Sequence, residues 1–217
     1  MAHSKDVLEV LRLLRCEVGE TKPVVHHVDP FHTLIATMLS AQTRDPVTGA
    51  AAARLFARYP DAKALSRAPT RSIQKLIYPV SFYPTKAPRV KETARRILSD
   101  FSGRVPSTLE ELTSLPGVGR KTANCVLCFS FDQQVIPVDT HVHRIPNRLG
   151  LVHTKTPKQT EQALARLVPK RRWGELNELF VKFGQHRCKS VHPRCGDCPL
   201  QEYCDYFRDV YAKRKKK

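Results

Sequence analysis

Apolar residues recur at helical spacing along almost the whole chain, and that rhythm points to an all-α architecture. Phe31, Leu34, Ile35, Met38 and Leu39 share one face of a helix over 31–41. Ile73, Leu76 and Ile77 do the same over 71–78, and Val90, Ala94, Ile97, Leu98 and Phe101 over 90–101. Residues 50–57 are alanine-rich and carry Leu55 and Phe56, a composition with good intrinsic helix propensity. The same reading places helices near 108–114, 119–131, 139–149, 158–168 and 173–186. Prolines punctuate the joints, among them Pro46, Pro60, Pro84, Pro116, Pro157 and Pro169. The best strand candidate is VIPV at 135–138, short enough to be an extended link. No internal repeat is present.

Charge narrows the partner. The chain has 217 residues and 37 lysines and arginines against 20 acidic residues, a formal net charge of +17. Such a surface attracts polyanions, of which nucleic acid is the commonest large one. An anionic membrane is the competing partner, but no segment approaches the roughly 20 apolar residues of a span. The N-terminus, MAHSKDVLEVLRLLRC, lacks the apolar block of a signal peptide. These features predict an intracellular protein, in the cytoplasm or nucleoid of a prokaryote, with no membrane association. Seven cysteines in a reducing compartment suggest a metal site where they cluster. The basic tail at 212–217, AKRKKK, reads as a solvated charge run, with phosphate binding or nuclear targeting as alternatives.

Three motifs carry chemistry. In LPGVGRKTA at 115–123, Gly117 and Gly119 allow a tight turn and close backbone approach to a ligand. Their amides stand at the start of the helix near 119–131, where the dipole favours an anion, and Arg120 adds a charge. With the helix at 108–114 the segment reads as helix, hairpin, helix (about 108–128), although a lone GxG is equally a plain helix–helix turn. In VDTHVHR at 138–144, Asp139 is a good N-cap, and a carboxylate there can also face a cationic transition state. Cys188, Cys195, Cys198 and Cys204 form a C-x6-C-x2-C-x5-C quartet. Four thiolates bind structural zinc or an iron–sulfur cluster, and one close pair with longer arms favours the cluster. Lys189, His192 and Arg194 lie within the quartet's first loop, which would hold them up as a basic finger for DNA phosphates. Cys16, Cys125 and Cys128 read as ordinary buried thiols.

These motifs, in this order and spacing from about residue 5 to 207, resemble those of endonuclease III, a helix-hairpin-helix DNA glycosylase and AP lyase. The resemblance implies a [4Fe-4S] cofactor on the four cysteines, Lys121 as nucleophile and Asp139 as the other catalytic residue. SAQTRD at 40–45 is similar to the family's SAQ-x-x-D segment, whose glutamine, here Gln42, fills the gap left by a flipped nucleotide. SFYPTKA at 81–87 is similar to G-x-Y-x-x-KA, in which the second residue, here Phe82, wedges between bases. Ser81 stands where the family usually has glycine, which predicts a different backbone path for that loop. Pro146, where the family usually has a small or apolar residue, predicts a kink or an early end to the helix after Asp139.

The implied fold is two helical lobes with a DNA-binding cleft. One is a helical barrel over 26–135. The other combines 1–25 with 136–217 and holds the iron–sulfur loop, so that Lys121 and Asp139 come from opposite sides. The implied substrate is double-stranded DNA bearing oxidised pyrimidines or abasic sites, acted on by a monomer. The enzyme would extrude the nucleotide, attack C1′ through the neutral amine of Lys121, form an imine and break the strand 3′ of the site by β-elimination. A free lysine titrates at about 10.4, so desolvation or the neighbouring Arg120 would have to lower it. The alternatives are a glycosylase without the lyase step, whose relatives generally lack a lysine at position 121, and a non-catalytic DNA-binding or redox module.

Overall fold

Each helix is set by its apolar spacing and closed by local chemistry. The computed structural model describes residues 6–19 and 29–214, and among these no residue forms a strand. In chain order the helices are α1 (Val7–Val18), α2 (Pro30–Ser40), α3 (Asp45–Arg58), α4 (Ala62–Arg67), α5 (Thr70–Ile77), α6 (Tyr83–Asp100), α7 (Leu109–Ser114), α8 (Arg120–Phe131), α9 (Thr140–Leu149), α10 (Pro157–Leu167) and α11 (Trp173–His186). A π-helical stretch, Phe207–Tyr211, leads into the short α12 (Ala212–Arg214). The last three residues of the basic tail lie outside the described residues. VIPV at 135–138 is an extended connection, with Ile136 and Val138 buried.

The chain divides into two compact units, Val25–Gln133 and Met1–Val24 with Gln134–Lys217. In the first, α2 packs against α3, α6 and α8, and α6 also packs against α4 and α5. Asp29 caps α2 by accepting from the His32 N–H at 2.8 Å, and Pro30 occupies its first turn. Leu34, Ile35 and Leu39, at helical spacing, are fully buried. Each such side chain stabilises the fold by about 1.5–3 kcal/mol. The Ser130 hydroxyl donates to Thr33 at 2.9 Å, tying α8 to α2 inside this core.

In the second unit, Val10, Leu11 and Leu14 of α1 join Val142, Ile145 and Leu149 of α9 in one core. Leu176, Phe180 and Phe183 of α11 complete it. Cys16 lies off that apolar stripe of α1 and is exposed, contrary to the expectation of a buried thiol. Asp6 starts α1 by accepting from the N–H groups of Leu8 and Glu9, and Gly19, with φ of 73°, follows its end. Thr156 and Gln159 form a reciprocal capping box at the start of α10.

Several proline assignments need correction. Pro46, Pro84 and Pro157 lie within the first turns of α3, α6 and α10 rather than between helices. There a missing N–H costs nothing, because first-turn amides have no intrahelical acceptor. α6 accordingly begins at Tyr83, well before the apolar repeat starts near 90, and runs through Pro88. The carbonyl of Pro84, which Pro88 cannot serve, accepts from the Gln74 side-chain amide at 3.5 Å. Pro146 likewise does not end α9. The helix continues to Leu149 and stops at Gly150, φ 71°. Proline's fixed φ is itself helical, so only one backbone bond is lost, and the buried Ile145 and Leu149 on either side hold the segment in place. α4 is not among the helices that the apolar spacing predicts.

Candidate functional site

In the unit Val25–Gln133 the LPGVGRKTA segment folds as a hairpin between α7 and α8. Thr108 caps α7, accepting from the Glu111 N–H at 3.3 Å. Gly117 adopts φ of 77°, and a Cβ there would come within 3.1 Å of Arg89 Cδ. The left-handed φ favours glycine at this turn, and the Arg89 side chain would have to give way to a Cβ. Gly119 differs: its φ is −93°, and a Cβ would meet nothing within 4 Å. The fold does not demand glycine at 119. The hairpin is anchored from α6, with the buried Thr93 donating to the Pro116 carbonyl at 2.9 Å and Arg96 to that of Ser114 at 2.7 Å. The N-cap of α8 is Gly119, which supplies no side-chain cap. Arg120 is exposed and Lys121 half-buried in that turn. Cys125 and Cys128 are buried on α8, and burial pushes the Cys128 thiol up to about 12.

Two loops of the same unit hold Gln42 and Phe82. Both residues sit in the left-handed region, at φ of 56° and 57°. That costs a non-glycine residue roughly 1–2 kcal/mol, so the surroundings must hold them there. Gln42 is exposed, and Phe82 presents 61% of its surface to solvent. A large apolar side chain held out on a strained backbone is unusual for a core-forming residue. Ser81 does not need to be glycine, because Phe82 rather than Ser81 takes the left-handed conformation.

In the other unit Asp139 is the N-cap of α9. Its Oδ1 accepts from the N–H groups of both His141 and Val142 at 2.8 Å, so one oxygen carries the whole cap. The link before it is pinned by Asn177, whose amide donates to the Pro137 carbonyl at 2.9 Å. α9 lies so close to α11 that a Cβ on Gly184 would fall 2.1 Å from His141 Nδ1.

The same helix reaches the cysteine loop. Arg144 donates to the Cys188 carbonyl at 2.8 Å. Arg148 donates to the carbonyls of Lys189 and Ser190 at 2.7 and 2.8 Å, lies 3.5 Å from Cys188 Sγ, and stacks over Tyr206 at 4.6 Å. These two arginines escaped the sequence reading; their only signal was an i, i+4 relation on α9. Lys189, His192 and Arg194 are exposed along the loop, with His192 at φ of 50°.

Cys188, Cys195, Cys198 and Cys204 line a single pocket. Among the described residues no three His, Cys, Asp or Glu side chains are placed to hold one metal ion. Four thiols lining one pocket are a donor set that an iron–sulfur cluster can use. The Phe207 N–H points at Cys204 Sγ from 3.4 Å, and with Arg148 it supplies the donors that thiolate sulfur requires. Burial pushes the Cys198 thiol up to about 11 and raises that of Cys195. The donor set and its surroundings fit an iron–sulfur cluster.

Comparison with known proteins agrees with this construction. Residues 35–170 match the HhH-GPD superfamily of base excision DNA repair proteins, and residues 188–204 match the iron–sulfur binding domain of endonuclease III. The second match begins at Cys188 and ends at Cys204. Endonuclease III of Thermotoga maritima is 46% identical over 180 residues, spanning 83% of this chain and 84% of that protein. Endonuclease III of Bacillus subtilis is 37% identical over 179 residues, 82% of each. A solved structure of a trapped endonuclease III–DNA covalent intermediate, an estranged-adenine complex, superimposes with a TM-score of 0.89 at 30% identity. It covers 99% of this chain and 100% of that one. Among the described residues no helix is long and apolar enough to cross a membrane. A helix-hairpin-helix followed by a four-cysteine iron–sulfur domain, in a chain with these relatives, places this protein in the endonuclease III family, DNA-binding base excision repair enzymes with DNA glycosylase and AP-lyase activity.

Proposed function

We propose that this chain removes oxidised pyrimidines from double-stranded DNA and cuts 3′ of the resulting abasic site, with Lys121 as nucleophile. One observation carries the assignment: Lys121 stands half-buried in the first turn of α8, directly after the hairpin that ends at the N-cap Gly119. The amides that follow Gly117 and Gly119, together with Arg120, bind a phosphate of the damaged strand, the anion site that a helix start provides. This places the sugar near the amine. Gln42 and Phe82 enter the stack as the nucleotide leaves it, offsetting part of an unstacking cost of a few kcal/mol. The exposed Lys189, His192 and Arg194 contact the backbone further along.

In the chemical step the Lys121 amine attacks C1′, and the base departs with the glycosidic electron pair. Asp139, ionised, stabilises the oxocarbenium charge that builds up at the sugar. A proton then passes from the nitrogen to O4′ as the C1′–O4′ bond breaks, which opens the sugar ring and leaves a protonated imine between Lys121 and C1′, a covalent intermediate. Loss of a C2′ proton sends its electron pair toward the imine and expels the 3′ phosphate by β-elimination. The four cysteines, Cys188, Cys195, Cys198 and Cys204, hold the iron–sulfur cluster, which when bound cross-links the loop and so fixes the basic finger. Arg148 and Arg144 brace that loop from α9.

Borohydride trapping tests the proposal. Wild-type protein incubated with thymine-glycol duplex and borohydride should give a covalent protein–DNA adduct, and Lys121→Gln should give none. Absence of a wild-type adduct, or an undiminished one with Lys121→Gln, refutes the assignment.

A further inference from the structure

Lys86 is a lysine buried to 8% exposure whose ammonium meets three uncharged oxygens. Nζ donates to the Leu39 carbonyl at 2.7 Å, the Ala41 carbonyl at 2.6 Å and the Thr43 hydroxyl at 3.3 Å. These acceptors bracket Gln42. The Lys86 backbone N–H donates to the Phe82 carbonyl at 2.9 Å, and the Ser81 N–H donates to Thr43 Oγ1 at 3.2 Å. One lysine and one threonine thus join the loop of Gln42 to the loop of Phe82.

Stability alone does not explain this arrangement. A buried ammonium loses hydration that neutral acceptors only partly restore, and burial draws its pKa below that of a free lysine. An unbranched apolar side chain would occupy the same buried position without desolvating a charge. What the ammonium adds is direction: three donors radiate from one atom and fix three points of backbone. Gln42 and Phe82, both held at left-handed φ, need such over-determined surroundings. We infer that Lys86, with Thr43 as its partner, is a positioning residue that locks the backbones of Gln42 and Phe82 into one rigid pair for insertion into the duplex. The inference rests on the reading that those two side chains enter the base stack.

The test compares Lys86→Met, Thr43→Val, Thr43→Ser, Gln42→Ala and Phe82→Ala in the full, cluster-loaded protein. Three quantities are measured: base release from thymine-glycol duplex, strand cleavage at an abasic site in single-stranded DNA, and fluorescence of 2-aminopurine opposite an abasic analogue in the bound duplex. Lys86→Met should slow duplex base release on the order of 10–100-fold, the scale of a small misplacement, and suppress the 2-aminopurine signal. Cleavage of the single strand, which needs no insertion, should be unchanged. Thr43→Val should move the same readouts in the same direction, and Thr43→Ser should restore them. Should Lys86→Met not fold, the two Thr43 variants decide the question. Unaltered duplex activity, or equal losses on single and double strands, overturns the role of Lys86. If Gln42→Ala and Phe82→Ala themselves leave duplex activity and fluorescence intact, the insertion reading fails and the positioning role with it.

Discussion

Replacing Asp139 by asparagine and by alanine separates its two functions. The structure assigns the whole N-cap of α9 to Oδ1, which accepts two N–H bonds at 2.8 Å. Asparagine presents an oxygen at the same place. Asp139→Asn therefore gives up only the charge facing the helix dipole, roughly 0.3–1 kcal/mol. Alanine removes the acceptor as well, and loss of an N-cap costs about 0.5–2 kcal/mol. For a chain of this size 1 kcal/mol moves Tm by about 2–4 °C, so Asp139→Ala should lower Tm by several degrees and Asp139→Asn by less. Chemistry should respond differently. If the carboxylate stabilises charge at the sugar, both variants should lose on the order of 10²–10³ in kcat, the scale for removing one preorganised electrostatic partner. Calorimetry gives the first quantity and single-turnover base release the second. The signature is a nearly stable Asp139→Asn that is as slow as Asp139→Ala. Near-normal turnover in Asp139→Asn, with slowing confined to the alanine variant, would reduce Asp139 to a cap and refute the reasoning.

Other perturbations have comparably sharp outcomes. Gly184→Ala places a Cβ 2.1 Å from His141 Nδ1, and overpacking of this kind should cost about 1–3 kcal/mol; an unchanged Tm would show that α9 and α11 can part freely. Gly117→Ala combines a left-handed φ with a 3.1 Å approach to Arg89 and should destabilise the protein. Gly119→Ala, in open space, should leave Tm alone and weaken duplex binding, whereas full affinity would remove phosphate from the account of the hairpin. Lys189→Ala and Arg194→Ala should each flatten the dependence of log affinity on log salt, by about 0.9 for every phosphate that is no longer neutralised. A slope equal to wild type would place those side chains off the DNA.

Much of the molecule was legible without coordinates because the responsible physics is local. A 3.6-residue repeat needs only neighbours along the chain, which is why α2, α8 and α11 sit where their apolar residues place them. The turn at Gly117 and the cap at Asp139 are also local, as is the close spacing of four cysteines. Local rules misled where proline was taken as a boundary, since Pro84 belongs to α6 and Pro146 to α9. They did not show that Phe82, next to Ser81, takes the left-handed backbone conformation.

Only the tertiary structure could decide the interactions that cross long stretches of chain. Lys86 reads as one of many basic residues until folding brings it against carbonyls 45 and 47 residues away. Arg148 reads as a helix-end cation until it meets the cysteine loop some 40 residues later. Gly184 is an ordinary mid-helix glycine until His141 arrives against it. The sequence by itself determined the helices, the hairpin and the metal-binding spacing, because each follows from the stereochemistry of a short segment. Which side chains brace them was decided by packing, because burial and hydrogen-bond partners exist only once distant segments meet.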